Sequence, residues 1–236
     1  MRRVVIKVSG EFLRGDSKDL YNVNLVREFC DNIARFKKEN QIALVVGAGN
    51  LMRGRDYIRW GMKRVEADEM GMLFTVANAL FLRNILNLMG VETIVMSPIQ
   101  IVGITEQYNR SNAIRLLEEG KIVIFGGGIG NPFVSTDYLA VQRSIELEAD
   151  QLFMSKNVDA VYESNPSRSI YVKKYKNVSY SECIRKNIAV CDQSAFILAQ
   201  EYNLKMQIYS ANDICKIVKG ENIGTSISNE EDNVFY

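Results

Sequence analysis

The sequence predicts an α/β fold, a three-layer αβα sandwich around a mostly parallel central sheet. Strand-like and helix-like stretches alternate from one end of the chain to the other. Three of the strands run directly into glycine-bearing turns, the arrangement that gathers ligands at the carboxyl ends of strands in open α/β sheets. The 236 residues are 47% hydrophobic and no Gly/Ser linker divides them, which suits one large domain or two tight lobes over residues 1–236 with a sizeable core.

The first strand is expected over 4–8, where Val4, Val5, Ile6 and Val8 are interrupted by Lys7. A lysine inside a strand is unusual unless its amine reaches an anion or carboxylate at the sheet edge. Taken alone, a partly exposed strand with a solvated Lys7 is the commoner situation. Helical periodicity follows over 25–38, then a strand over 42–46 that turns into Gly47-Ala48-Gly49-Asn50-Leu51-Met52-Arg53-Gly54. The long pattern 65–89 places Leu73, Val76, Ala77 and Leu80 on one stripe with Phe81 and Leu88 beside it, most simply a core face. Strands over 92–96 and 122–125 flank a helix over 112–118, and a helix over 138–148 leads to a strand over 151–154. The polar, turn-rich stretch 162–176 reads as a flap or short hairpin. Helices over 180–185, 195–202 and 214–218 alternate with strands over 206–209 and near 225–227. Ser179 and Glu182 have capping-box spacing, Asp192 and Asn212 are expected helix caps, and the polar tail 229–232 is expected to fray.

Composition narrows the chemistry. There is no histidine, which excludes Ser-His-Asp and Cys-His catalysis and imidazole acid–base work. Lys, Arg, Asp, Glu, hydroxyls and backbone amides remain, and phosphoryl transfer needs little more, since it depends on positioning and charge neutralisation. A net charge of +1 points to neither nucleic acid nor a membrane surface. Cys30, Cys183, Cys191 and Cys215 lack CxxC spacing, as expected for reduced thiols in a cytoplasmic protein. The apolar run after Met1-Arg2-Arg3 is too short for a signal peptide, and the run 72–82 falls short of the ~20 residues a membrane span requires.

The most informative segment follows the strand at 122–125: Gly126-Gly127-Gly128-Ile129-Gly130-Asn131-Pro132-Phe133-Val134-Ser135-Thr136-Asp137. Glycines allow close backbone approach to a ligand, and free N–H groups at a helix start attract anions. Asp137 adds a carboxylate to an anion-seeking loop, which suggests a metal ion or a lysine to be held. A βα turn capped by Ser or Thr would explain the glycines alone, though not the whole string. There is no Walker A sequence, and Asn131 stands where a GxGxxG would end, so any nucleotide is held by another scheme.

Lys7-Val8-Ser9-Gly10-Glu11, the loop 47–54 and the string from Gly130 to Asp137 together resemble the amino acid kinase superfamily and, within it, the UMP kinases. Ala67-Asp68-Glu69-Met70-Gly71-Met72-Leu73 and Asn157-Val158-Asp159-Ala160-Val161-Tyr162 with Asn165-Pro166 extend the resemblance to nearly the whole chain. It implies transfer of the ATP γ-phosphoryl group to UMP with Mg2+, an N-terminal lobe binding UMP, a C-terminal lobe binding ATP, and a homohexamer paired through the 65–89 helix.

By the same resemblance Lys7, Asp137 and Asp192 form the catalytic set. Lys7, Val8, Ser9, Gly10, Gly49, Arg53, Lys156, Tyr162 and Asn165 would hold ATP. Ala48, Asp68 and the segment Ile129, Gly130, Asn131, Pro132, Phe133, Val134, Ser135 and Thr136 would hold UMP, Asp68 through the ribose. Magnesium would be carried by the nucleotide phosphates. Without the resemblance, Asp68 reads equally well as a first-turn acid complementing the helix dipole, and Tyr162 as a half-buried sheet aromatic. The chain departs from the family pattern at Ala48, Ile129, Met154, Lys156-Asn157 and Asn165, and Asn84 stands where GTP-activated members carry an acid. Two further readings are a superfamily kinase with a small carboxylate or carbamate acceptor, and a non-catalytic nucleotide or oxyanion store. Asp68 with the string 131–137 weighs against the first, and Lys7, Asp137 and Asp192 together weigh against the second.

Overall fold

The computed structural model describes residues 1–51, 57, 60–164, 172–230 and 232–236. Strand β1 (Arg2–Val8) leads to α1 (Gly10–Arg14) and α2 (Val23–Phe36), and β2 (Asn40–Val46) precedes the long helix α3 (Arg64–Leu88). Then come β3 (Thr93–Ser97), β4 (Glu106–Gln107), α4 (Arg110–Glu118), β5 (Ile122–Phe125), α5 (Thr136–Glu146) and β6 (Gln151–Lys156). The remainder holds β7 (Tyr175–Ser179), α6 (Tyr180–Arg185), α7 (Gln193–Glu201), β8 (Met206–Ser210), a 3-10 turn at Ala211–Asp213, α8 (Ile214–Val218), β9 (Thr225–Ser228) and β10 (Val234–Phe235).

These strands form one sheet in the order β10-β7-β9-β8-β6-β1-β2-β5-β3-β4. Every neighbouring pair is parallel except β8 with β9 and β10 with β7. The long helix α3 passes by length and composition as a possible membrane span, but it packs on α2, β2, β3 and β5.

The period-2 alternation of strand side chains fixes both layers. Val4, Ile6 and Val8 of β1, with Ile42, Leu44 and Val46 of β2, face one core shared with α1, α2, α3 and α8. Val5 of β1, Ala43 and Val45 of β2, and Leu152 and Met154 of β6 face the other core, shared with α4, α5, α6 and α7. Lys7 has the parity of Val5, and Lys156 that of Met154. Both lysines are therefore directed toward the layer that contains α5.

Several local details differ from the sequence expectation. A short helix, α1, follows β1 immediately, and the stretch expected as a flap ends in β7, which pairs with β9 and β10. Before β7, Tyr162 bridges Lys174 in antiparallel fashion, the remnant of the expected hairpin whose middle, 165–171, lies outside the described residues. The Ser179 hydroxyl caps Glu182 N–H at 3.2 Å, but the Ser179 N–H is taken by Asn233 at 3.0 Å, so the capping box is only half made. Asn212 lies inside the 3-10 turn and is not the cap of α8; Asp213 occupies that position.

Candidate active site

The carboxyl ends of β1, β2, β5 and β6 deliver their loops to one edge of the sheet, as parallel topology requires. Lys7 is central in that sheet, registered between Val45 of β2 and Met154 of β6. It is 8% exposed, so the solvated-strand reading is overturned. Its ammonium lies 3.1 Å from Asp137 Oδ1, and Lys156 Nζ bonds Asp137 Oδ2. One carboxylate thus holds two ammonium groups from adjacent strands. The reason is geometric: Asp137 is the second residue of α5, the helix both lysines face.

Burial opposes ionisation of Asp137, but Lys7 and Lys156 outweigh it and hold the carboxyl well below the usual carboxylate range. Burial also lowers Lys7 from the ordinary lysine range; Asp137 counters that shift and Lys156 adds to it. Cys191, next to Asp192 in the chain, is pushed up by burial and stays a neutral thiol, unsuited to nucleophilic work.

Ser135 is the N-cap of α5, its hydroxyl accepting from Asp137 N–H at 3.2 Å and Tyr138 N–H at 3.3 Å. The helix therefore starts at Thr136, two residues before the expected start. The Ser135 hydroxyl also donates to Asp192 Oδ2. Asp192 occupies the N-cap position of α7, as expected, but makes no side-chain cap bond and turns to Ser135 instead. Asp137 and Asp192 are thereby joined through one residue of the glycine-rich loop.

The turn after β1 is fitted against the turn after β2. A Cβ on Gly10 would lie 2.4 Å from Gly49 N and 2.7 Å from both Gly47 O and Asn50 Oδ1, so only glycine allows this approach. Ser9 Oγ accepts from Glu11 N–H at 3.1 Å, which makes it the cap of α1. Beneath lies a polar knot that sequence reasoning passed over. Asn78, fully buried on α3, donates to Gly47 O and Asn50 Oδ1 at 2.7 Å each and accepts from the Tyr21 hydroxyl at 2.9 Å. An amide on an otherwise apolar helix face is the signal that could have found it. Ala48 and Gly49 are half-buried beside this knot; Arg53 lies outside the described residues.

The loop after β5 presses on α3. A Cβ on Gly126 would stand 2.9 Å from Val76 Cα, and Gly127 N–H donates to Thr75 Oγ1 at 2.7 Å. Ile129 packs against the core, a reason for its aliphatic side chain. Gly130 has φ +84°, Asn131 is exposed, and Pro132 and Val134 are half-buried. Phe133 N–H reaches back to Asp68 Oδ2 at 2.7 Å, which ties the loop to the start of α3. Asp68 also receives Arg64 Nε at 2.7 and 2.8 Å. Arg64 was not singled out from the sequence, although a cation four residues before an acid on a helix is a readable pair.

Beyond β6, the Tyr162 hydroxyl donates to Asp159 at 2.8 Å, and Lys174 Nζ meets the same carboxylate at 2.7 Å. Tyr162 borders a half-open cavity of about 500 Å³ lined by Val158, Ala160, Ile188 and Val190. Asn165 lies outside the described residues. A cleft of about 550 Å³ lined by Arg2, Asp150 and Lys205 opens at the opposite, amino-terminal ends of the strands, away from this cluster.

Comparison with known proteins accords with this geometry. The amino acid kinase family model matches residues 2–210. The uridylate kinase of Frankia casuarinae is 40% identical over 233 residues, spanning 96% of this chain and 90% of that protein. The uridylate kinase of Colwellia psychrerythraea is 38% identical over 234 residues, spanning 98% and 95%. The crystal structure of UMP kinase from Bacillus anthracis superposes with a TM-score of 0.94 at 36% identity, covering 100% of this chain and 98% of that one. The chain belongs to the amino acid kinase family, among its uridylate kinases.

Proposed function

We propose that the protein is a UMP kinase that transfers the γ-phosphoryl group of ATP to UMP in pyrimidine nucleotide synthesis. The observation that carries the reading is the Lys7–Asp137–Lys156 cluster at the carboxyl edge of the sheet. A phosphate oxygen of UMP attacks the γ-phosphorus, one P–O bond forms, and the bond to the β–γ bridging oxygen breaks to release ADP. Negative charge spreads over the transferring group in such a reaction, and preorganised cations there stabilise it.

Lys7 is the catalytic cation in this reading, and Lys156 approaches from the ATP side. Asp137 fixes both, and its lowered pKa keeps it ionised as an orienting group rather than a general base. Val8, Ser9, Gly10 and Gly49 form the close-packed turns for the ATP phosphates, and the cavity by Tyr162 suits a nucleobase. Asp68, Ala48 and the loop 129–136 form the acceptor side. Mg2+ would be carried by the substrate phosphates, which suits a site where both Asp137 oxygens already face Lys7 and Lys156. It would supply further charge neutralisation.

Leu73, Leu88, Met89, Val102 and Ile104 are exposed on and beside α3, which supports assembly through this helix, a hexamer by the family pattern. Three of the four unpaired cysteines are buried, which suits a reducing, cytoplasmic setting.

A coupled assay of ADP release with UMP, CMP, glutamate and no acceptor tests the reading. UMP is expected to exceed CMP in kcat/KM by up to ~10⁴, the scale reached by sites that hydrogen-bond one polar edge. Comparable values for UMP and CMP would replace the assignment with a broad nucleoside monophosphate kinase.

A further inference from the structure

Three residues meet where α3 begins. Arg64 lies one helical turn before Asp68 and gives its Nε–H to both carboxylate oxygens, at 2.7 and 2.8 Å. The main-chain N–H of Phe133 donates to Asp68 Oδ2 at 2.7 Å. The Arg64 guanidinium also lies over the Phe133 ring, 5.7 Å from its centroid. Arg64 thus touches both other members, and the three close a triangle between α3 and the loop after β5.

The Phe133 backbone makes this more than a surface ion pair. Its φ is +68°, in the left-handed region that favours glycine. Two of the other three non-glycine residues with positive φ among those described are Asn187 and Asn203, a type that tolerates this region. Phe133 is not, and the residue is 64% exposed, so apolar burial does not hold the turn in place. Its N–H bond to Asp68 and the guanidinium over its ring are the restraints at hand. Strain of this kind persists only where surrounding contacts over-determine it, and it concentrates at ligand sites.

We propose that Arg64 is a positioning residue of the acceptor site. It sets the direction of the Asp68 carboxylate and, through Asp68 and the Phe133 ring, the course of the acceptor loop, so the ribose of the acceptor nucleotide meets a carboxylate already aimed. This rests on the reading of Asp68 and residues 129–136 as the UMP side of the site. The guanidinium suits the task better than an ammonium, since a planar group bonds a carboxylate edge and stacks on an aromatic ring together.

The test uses the full-length protein with Arg64→Ala and Arg64→Lys. Amide exchange in the nucleotide-free state reads the turn directly, because the Phe133 N–H should lose protection in Arg64→Ala while the sheet is unchanged. In steady state, KM for UMP should rise about tenfold with KM for ATP within about twofold, the pattern of lost acceptor binding. The preference for UMP over dUMP should shrink, since a carboxylate no longer aimed at the ribose cannot distinguish the missing hydroxyl. Arg64→Lys should fall between, because it restores the charge but not the stacking. Unchanged exchange at Phe133, or KM values for UMP and ATP that rise together, would overturn the proposal. Wild-type turnover separates the two possible failures. A wild type inactive on UMP means that the acceptor reading is wrong; an active wild type with an unaltered Arg64→Ala KM means that the positioning role is wrong.

Discussion

Asp137, the second residue of α5, and Asp68, the fifth of α3, are both carboxylates clasped by cations, yet their surroundings differ. The Asp137 side chain is 14% exposed and its partners Lys7 and Lys156 are 10% and 14% exposed. Asp68 is similarly covered at 18%, but its partner Arg64 is 52% exposed. In the first cluster water is largely excluded, so both ammonium groups rely on the Asp137 carboxylate, and removing it leaves the two of them uncompensated. In the second, solvent screens the pair, which adds little to stability. The same local chemistry therefore yields a centre whose carboxylate is coupled to folding, and an outer contact held at little energetic cost.

Asp137→Asn should show the largest effect. The sequence alone suggests an isosteric change that leaves the fold intact. The structure shows two buried ammonium groups that would lose their shared counter-charge, and breaking a buried pair costs about 3–5 kcal/mol. A clear fall in melting temperature is expected, together with a fall in kcat of ~10²–10³ measured well below that temperature. A rise in KM for UMP alone would make Asp137 a binding residue and erase the contrast with Asp68.

The acid limb of stability sharpens the comparison next. Asp137 has a folded pKa held well below its unfolded value of about 3.9, so its contribution is complete above that pH and is lost as pH falls toward the folded value. Wild type should therefore lose stability below about pH 4 more steeply than Asp137→Asn does. Parallel acid limbs in urea titrations would show that the carboxylate is not linked to folding.

The smallest effect is expected at the exposed pair. Arg64→Ala should change stability by no more than about 0.5 kcal/mol, as for surface substitutions generally, even where it weakens UMP binding. A loss near the Asp137 scale would mean that the two clusters differ less than their exposure indicates.

Much of this fold was legible because strands such as β5 are unbroken apolar runs rich in β-branched residues, as at Ile122, Val123, Ile124 and Phe125. The elements that were not legible are short or depend on distant partners. The five-residue α1 shows no helical period, and β4 and β10 have two residues each. In β7 only Tyr175 and Val178 are buried, which leaves the segment polar in sequence.

At the site, Lys7 was readable as an anomaly within its strand and Asp137 as a carboxylate with a lysine or metal to hold, but the sharing of Asp137 with Lys156 was not, because it depends on which face of the sheet α5 covers. Two departures from the family pattern, Met154 and Lys156, acquire a joint meaning in the structure. They lie on one face of β6, Met154 in the core and Lys156 at the carboxyl edge within reach of Asp137. The Asp192 side chain was expected to cap its helix, and Ser135 draws it away. Such choices among competing partners are tertiary, and helix-start patterns do not encode them.

The account turns on Lys7 as the cation that balances charge on the transferring group, and Lys7→Ala tests it most directly. Asp137 would still be paired with Lys156, so circular dichroism and the melting temperature should remain near wild type. Single-turnover transfer from ATP to UMP should slow by ~10²–10³, the scale for loss of one preorganised stabiliser. A folded Lys7→Ala protein that keeps more than about a third of the wild-type rate would lie outside that range and contradict the mechanism.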